Sequence, residues 1–393
     1  MDQQLLEFLP NLKCPLTHSD LHVMNKVSLD LLNARIRERK VHHADGSPVK
    51  ESLTDALVSD EYQLVYPVID GKIAALMENL AILPEDKSGL GEILRTLDEE
   101  KLLVQGFYEE YGWHKADGKK YHDTVDFEDH RKIASAYWSR CHLRLNRYLR
   151  SGKYILDVAS GAIPNDEYLS YSQNYQLRIC MDFSLLALKE AAVRLHGKGI
   201  FIMGDMTNIP IKDDCMDAVI SLHTVYHVPK KEQTKAVEES HRILKDKGVA
   251  VIVYSWQRAP LMHHLMGGWR KLMKLKNRNA KIRKKEGEQP AGSSPKLHTY
   301  QQNFSWYDQV LRHNYGAQLK VYSAISRSFS HTFIRKKFFG KQLAAFIYWL
   351  EDQLPGILGK YGQYPVFVLE KQPVAASASR QASSVKKNEQ VTF

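Results

Sequence analysis

Short apolar runs alternate with amphipathic segments between residues 154 and 256. The runs YILDVAS, LRICMDFS, GIFIMGDMTN, MDAVISLHT and GVAVIVYSW are typical of buried strands, whereas SLLALKEAAVRLHG and KKEQTKAVEESHRILKD have the helical period. Buried strands that are separated by helices pair in parallel, so this order predicts a doubly wound α/β sheet. The later segments LKVYSAIS and YPVFVLEK add two strands, with a helix over GKQLAAFIYWLEDQL between them.

The remaining patterns divide the chain into further units. A polar, turn-rich start with a hairpin signal at Asp70-Gly71 predicts a small α+β unit. A helical connection follows it, and a Ser/Ala-rich polar end predicts a disordered tail. The expected units are 1–83, the connection 84–130, the main domain 131–371 with an insertion at 258–315, and the tail 372–393.

Charge and cysteine usage narrow the possible partners and the compartment. Lys and Arg number 55 against 45 Asp and Glu, and residues 270–288 alone hold nine basic and two acidic side chains. The basic stretch, taken as 270–285, favours an anionic partner such as RNA or lipid, although a solvated surface has the same composition. The four cysteines form no Cys-x-x-Cys pair, which favours a reducing cytoplasm over a disulfide framework. The start of the chain has no secretory pattern, and no apolar run is long enough to span a bilayer.

The segment YILDVASGAIPNDEYLSYS, residues 154–172, predicts a strand, a tight turn and a helix. Dinucleotide sites have three glycines at such a turn, but Ala159 and Pro164 replace two of them here. Asp166 and Glu167 in the first helical turn would repel a pyrophosphate. These residues therefore disfavour a binding site for NAD or FAD here. Neither feature conflicts with a nucleotide cofactor that has no phosphate.

The corner LDVASGAIP resembles motif I of class I S-adenosylmethionine (SAM)-dependent methyltransferases, of the type 11 kind. Asp157 matches the motif's acid and Gly161 its central glycine, whereas Ala159 and Ile163 depart from the glycine pattern. The resemblance implies a seven-stranded Rossmann-like sheet and SAM as the cofactor. It also implies that Asp157, Ala159 and Gly161 lie against SAM.

The same resemblance assigns further cofactor residues. Asp182, 25 residues after the motif's acid, closes the second strand, where a carboxylate accepts hydrogen bonds from ribose hydroxyls. Phe183 follows it directly. Asp205 and Met206 match the pair that flanks adenine in the family, and Ser221 ends the fourth strand against the methyl donor.

Two histidines after the fourth strand are the candidate catalytic residues. Methyl transfer to oxygen requires removal of a proton, and imidazole is suited to that work. His223 and His227 lie in SLHTVYHVP, where the active site should open.

The acceptor class is predicted from a motif that is absent after the fourth strand. Methyltransferases of nucleobase amines carry an Asn/Asp-Pro-Pro-Tyr-like motif here, whereas SLHT resembles family members that act on small polar molecules, lipids or glycans. We therefore expect O-methylation of a small-molecule, lipid or saccharide-type acceptor. Two alternatives stay open at this point: an RNA or protein methyltransferase that uses the basic stretch, and a non-catalytic SAM-binding protein.

The first unit has a resemblance of its own. LKCPLT and YQLVYPVIDGKIAALM resemble the zinc-ribbon-like methyltransferase-activator proteins. Cys14 and Pro15 remain, but Thr17 stands at the second cysteine position and no cysteine precedes Tyr66 in the expected window. Zinc binding by four ligands is therefore excluded, and we expect a metal-free remnant that packs on the main domain.

Overall fold

The structure is a computed structural model. It describes residues 1–83, 99–116, 118, 120–277, 297–336 and 339–373. Residues 84–98 of the expected connection, most of the basic stretch (278–288) and the tail from 374 lie outside these ranges.

One mixed β-sheet runs through the described part of the chain and contains 11 strands. The strands are β1 Leu21–Val23, β2 Asp55–Ser59, β3 Val65–Ile69, β4 Ile73–Ala75, β5 Gly152–Val158, β6 Tyr175–Asp182, β7 Ile200–Met203, β8 Met216–Leu222, β9 Leu244–Val253, β10 Gln318–Ser323 and β11 Tyr364–Glu370. Their order across the sheet is β1-β2-β3-β4-β7-β6-β5-β8-β9-β11-β10.

The centre of the sheet has the predicted doubly wound order. Strands β7, β6, β5, β8 and β9 are parallel, and β11 pairs antiparallel to β9 at the far side. The chain proceeds from β5 outward through β6 and β7, then returns to add β8 on the other side of β5. Ligands of such sheets bind where this order reverses, at the carboxyl ends of the strands.

The first 83 residues extend this sheet. Strand β4 pairs in parallel with β7, with Ile73 opposite Phe201, so the sheet is wider than the seven strands expected. The hairpin predicted at Asp70-Gly71 is confirmed, and both residues have the positive φ of a type I′ turn. Cys14 is buried with its Sγ 3.2 Å from Tyr66 Oη. The zinc-ribbon resemblance stays a prediction.

Helices cover both faces of the sheet and confirm the predicted periods. The described helices are α1 Gln3–Phe8, α2 Lys26–Arg37, α3 Glu99–Phe107, α4 His122–Phe127, α5 Lys132–Arg144, α6 Leu185–Arg194, α7 Gln233–Arg242, α8 Pro260–Asn277, α9 Phe304–Trp306, α10 Arg312–Tyr315, α11 Arg327–Phe333, α12 Gly340–Gln353 and α13 Pro355–Tyr361. Successive side chains of the central strands enter two separate apolar cores, as strand alternation requires. None of the helices described is long and apolar enough to cross a membrane.

A buried polar network ties α5 and α12 to β10. Glu351 is fully buried, and its carboxylate accepts hydrogen bonds from Tyr137 Oη (2.6 Å), the Ala324 backbone N–H (2.7 Å) and Arg144 Nη1 (3.0 Å). The same Arg144 nitrogen also donates to the backbone oxygen of Tyr322 at 2.7 Å. Because each buried charge has a partner, the network holds these three elements together.

Candidate functional site

A cavity of about 460 Å³ opens at the carboxyl ends of β5, β6 and β8. Its walls come from the β5 corner, from residues 101–128 and from the coil 297–301, which is the end of the predicted insertion. Eight of the ten residues that the sequence assigned to the site line it, namely Asp157, Ala159, Gly161, Asp182, Phe183, Met206, His223 and His227. The structure therefore brings most of the predicted site residues to one cavity.

The other two assigned residues, Asp205 and Ser221, do not border the cavity. Ser221 is fully buried and its Oγ lies 2.6 Å from Thr224 Oγ1, while the next residue on the strand, Leu222, faces the cavity. The Asp205 carboxylate accepts from Lys101 Nζ at 2.6 Å and from the Thr207 backbone N–H at 2.7 Å. Lys101 lines the cavity instead, and Asp205 lies behind it.

The loop after β5 has an unusual backbone. Ala159, Gly161 and Ile163 all have positive φ, at 54°, 56° and 53°. Only glycine adopts this region without a steric cost, so Ala159 and the β-branched Ile163 are strained. The helix expected after this loop is present as a 3₁₀ helix over Asp166–Ser172.

Replacing Ala159 by glycine is expected to stabilise the protein by about 0.5–1 kcal/mol. Relief of the left-handed strain is worth about 1–2 kcal/mol, and the greater freedom of glycine in the unfolded chain offsets part of it. Urea unfolding measures the change. Ala162→Gly is the matched control, because Ala162 is fully buried and lacks a positive φ, so it should destabilise. Equal destabilisation by both changes would contradict this loop conformation.

Asp182 lies at the end of β6 and fits a ribose-binding role. Its Oδ2 accepts from the Gly161 backbone N–H at 2.8 Å and its Oδ1 from the Ser184 backbone N–H at 2.9 Å. A carboxylate has about four acceptor positions, so each oxygen keeps one for a ligand hydroxyl. Burial raises the pKa of Asp182 to about 6, so the side chain is mostly ionised at neutral pH. The donors that SAM presents through its ribose match these free positions.

Asp157 has a different partner from the one that the sequence suggested. Its carboxylate forms a buried ion pair with Arg178 of β6, and Arg178 Nη1 also donates to the Tyr168 backbone oxygen at 2.8 Å. Burial raises the pKa of Asp157, and the Arg178 charge opposes that rise. Asp157 therefore fixes the loop after β5 from below while it contributes to the cavity wall.

A segment that we call the cover, made up of residues 99–116, 118 and 120–128, lies over the cavity. Lys101 anchors it through ion pairs with Asp205 and Glu232, both at 2.6 Å. Trp113 lies over the loop, where a Cβ at Gly161 would come within 2.4 Å of the indole ring. Sequence reasoning treated this segment as a connection, although the aromatic run GFYEEYGWH was a signal for a buried wall.

His223 follows β8 in a strained conformation that directs its ring into an aromatic group. Its φ is 60°, and its ring packs edge-to-face on Tyr322 (5.0 Å between centroids) and Tyr364 (5.2 Å). Burial lowers its pKa to about 3. His227 Nδ1 lies 2.9 Å from the His298 backbone oxygen, and burial lowers its pKa to about 4. Both rings are therefore neutral at physiological pH.

Two acids of the cover were not predicted as site residues. Asp123 of α4 and Glu128 line the cavity, and burial raises the pKa of each to about 7. Asn165 Nδ2 donates to Glu128 Oε1 at 2.8 Å. The acid-rich run HDTVDFEDH was the available signal, but such runs usually form solvated surfaces.

Comparison with known proteins bears on the region around this cavity. The family model described as a methyltransferase domain matches residues 156–252. Sterol 24-C-methyltransferase erg6 of Schizosaccharomyces pombe is 25% identical over 178 residues, which cover 41% of this chain and 44% of that protein. The chain thus matches less than half the length of this relative.

Among solved structures, the likenesses are distant. One is to a chain of the complex between the Haloferax volcanii Trm112 methyltransferase activator and a putative methyltransferase, at 13% identity, covering 61% of this chain and 92% of that one, with a TM-score of 0.38. Another is to Haemonchus contortus phosphoethanolamine N-methyltransferase 1 in complex with phosphoethanolamine and S-adenosylhomocysteine, at 13% identity and a TM-score of 0.43, covering 71% of this chain and 51% of that one. Residues 156–252 of the chain are thus similar to a methyltransferase domain, and SAM-dependent methylation is the activity that this match supports.

Proposed function

We propose that this protein uses SAM to methylate an oxygen atom of a small-molecule, lipid or saccharide-type acceptor. One observation carries the proposal: six of the eight residues assigned to the cofactor and a group of aromatic and titratable side chains line the same cavity. A volume of about 460 Å³ lies in the range of small-molecule sites. The cover lies over it, which favours a compact acceptor over a polymer.

The cofactor end of the cavity is formed by the β5 loop and the end of β6. Asp182 would accept the ribose hydroxyls, while Phe183 and Met206 offer apolar contact to the base. When bound, SAM supplies a methyl group that its sulfonium activates. The chain's own task is then to orient the acceptor, and positioning of this kind contributes up to roughly 7–11 kcal/mol.

The acceptor end is the aromatic region around His223. Tyr322 and Tyr364 hold its ring, and the backbone N–H of His223 donates to Val253 O at 3.1 Å, so the imidazole is fixed at the cavity wall. We propose that this neutral imidazole takes the proton from the acceptor hydroxyl. A base with a pKa of about 3 has weak proton affinity, so its contribution should be near 10²-fold, the lower end for general bases.

The test uses SAM with a labelled methyl group. The purified protein is incubated with extract of cells that lack it, and lipid, small-molecule, protein and nucleic-acid fractions are counted. We expect label in the lipid or small-molecule fraction and about 100-fold less with His223→Asn, at unchanged SAM affinity.

The control variant is His263→Asn, since His263 lies outside the cavity lining. Label confined to RNA or protein would contradict the proposal and favour a role for the basic stretch 270–285. SAM binding without label in any fraction would favour a non-catalytic protein.

A further inference from the structure

Asp123 carries negative charge at one side of the cavity, and no basic group is among the charges that act on its carboxylate, whereas Lys120 acts on the neighbouring Glu128. Asp123 accepts no hydrogen bond there, and the charged groups that act on its carboxylate are three other acids, Glu128, Asp126 and Asp182. In a fully solvated surface cluster such repulsion is screened, but Asp123 borders the cavity and is only partly exposed. An uncompensated carboxylate in this position is costly, so a bound cation would stabilise it.

The two basic side chains that line the cavity are occupied elsewhere. Lys101 pairs with Asp205 and Glu232. Arg327 donates from Nε to the Glu128 backbone oxygen at 3.0 Å and from Nη2 to the Val125 backbone oxygen at 3.1 Å. The three histidines of the lining are neutral, because burial lowers their pKa values to between about 3 and about 4.

Tyrosine rings line the same cavity as the two acids. Tyr108, Tyr168 and Tyr226 line the cavity and lie close enough to Asp123 for its charge to raise their pKa values further, after burial has raised them. Ring faces attract cations, and the attraction strengthens when water is excluded. Carboxylates and tyrosine rings together therefore form a lining that suits a cation.

Two further lining groups lack a hydrogen bond, although one of them, His142 Nδ1, lies 3.9 Å from Glu167 Oε2. The Trp113 indole Nε1 and the His142 Nδ1 make no hydrogen bond within the part of the chain described, and their residues are only 8% and 4% exposed. Buried polar atoms of this kind are normally satisfied. Both residues line the cavity, so a polar ligand there would satisfy them.

We propose that the acceptor carries a positively charged nitrogen, an ammonium or quaternary ammonium group, which binds against Asp123 and Glu128 among the tyrosine rings of the cavity. The inference rests on the proposed function and specifies its substrate class. The charged nitrogen anchors the acceptor, and the methylated oxygen lies elsewhere on the same molecule.

The test uses choline and its neutral isostere 3,3-dimethyl-1-butanol as probes. Each is titrated by calorimetry into the full chain saturated with S-adenosylhomocysteine. We expect choline to bind at least 10-fold more tightly than the neutral alcohol. Asp123→Asn should weaken choline at least 10-fold and leave the alcohol unchanged. Asp126→Asn removes the same charge one turn away, outside the lining, and should change choline affinity less than twofold.

The pH dependence provides a second readout. Choline does not titrate, so any dependence reports the protein. Asp123 and Glu128 attract a cation only when ionised, and their pKa values of about 7 therefore predict tighter choline binding as the pH rises from 6 to 8. The dependence should weaken in Asp123→Asn.

Three outcomes would overturn the inference. Equal affinity for the two probes would show that the positive charge does not contribute to binding. Unchanged choline affinity in Asp123→Asn would show that this acid does not bind the cation. Loss of SAM affinity with unchanged S-adenosylhomocysteine affinity in that variant would assign Asp123 to the sulfonium instead. A fourth result, failure of the wild-type chain to bind S-adenosylhomocysteine, would contradict the proposed function itself. That result differs from the three above, so a failure of the inference can be distinguished from a failure of the proposed function.

Discussion

Replacing Asp182 by alanine is expected to lower SAM affinity at least 100-fold while the fold remains intact. The carboxylate would accept two ribose hydrogen bonds, and hydrogen bonds to a charged group are worth about 1.5–3 kcal/mol each. The loss of about 3–6 kcal/mol corresponds to a factor of 100 or more in Kd. Calorimetric titration with SAM measures it.

Asp166→Ala is the matched control for that experiment. Asp166 lies in the same corner of the fold, but its side chain is largely exposed and pairs with Arg194 at 2.7 Å. Its removal should leave SAM affinity within twofold, since an exposed ion pair outside the cavity contributes little. Unchanged affinity in Asp182→Ala would place the ribose elsewhere, and circular dichroism of both variants excludes unfolding as the cause of a loss.

Glu351→Ala is expected to destabilise the protein by about 3–5 kcal/mol, the largest stability change that we predict. The substitution leaves the buried Arg144 charge without its main partner, removes the acceptor of the Ala324 N–H, and leaves Tyr137 Oη with Ser323 Oγ as its one remaining partner among the described residues. Breaking a buried pair by removing one member costs this much, because the remaining charge stays desolvated. Urea unfolding at pH 7 provides the measurement.

The neighbouring acid provides the comparison. Asp352 pairs with the half-exposed Arg147 at 2.8 Å and also lies 3.3 Å from Arg144 Nε, but its own side chain is partly exposed, so Asp352→Ala should cost clearly less than Glu351→Ala. Similar effects of the two substitutions would show that the Glu351 network contributes no more than a surface pair. Arg144 also bonds the Tyr322 backbone, so the Glu351 variant should additionally loosen the cavity wall beside His223.

Elements that depend on local pattern could be predicted from the sequence. The apolar runs that end at Asp182 and at Leu222 are typical of buried strands. The helix that begins at Lys132 has apolar residues at helical spacing. Because parallel strands end at one edge of the sheet, most of the assigned cofactor residues also converge as expected.

Features that depend on non-local packing could not be predicted. The pairing of Ile73 with Phe201 joins positions 128 residues apart, and no periodicity encodes it. The positive φ of Ile163 could not be predicted, because positive φ is expected from sequence mainly at glycine. The sequence around Asp123 is typical of a solvated acidic surface, and only the fold shows that Asp123 lines the cavity. Successive side chains of a strand point to opposite faces, and the sequence does not show whether Ser221 or Leu222 faces the cavity.

The continuity of β4 with β7 bears on how this protein can be shortened. A fragment that begins at residue 131 would keep the parallel strands β5 to β9 but leave β7 as an open edge, with the backbone groups of Ile200–Met203 that face β4 unpaired and the now buried Phe201 and Ile202 less covered. Such an edge invites strand addition by another molecule and aggregation. In the full chain the sheet ends instead at β1, a three-residue strand with two exposed side chains, which is a poor template for further pairing. Residues 1–83 therefore act as an end cap for the sheet, so their loss would reduce solubility even if every residue of the cavity remained.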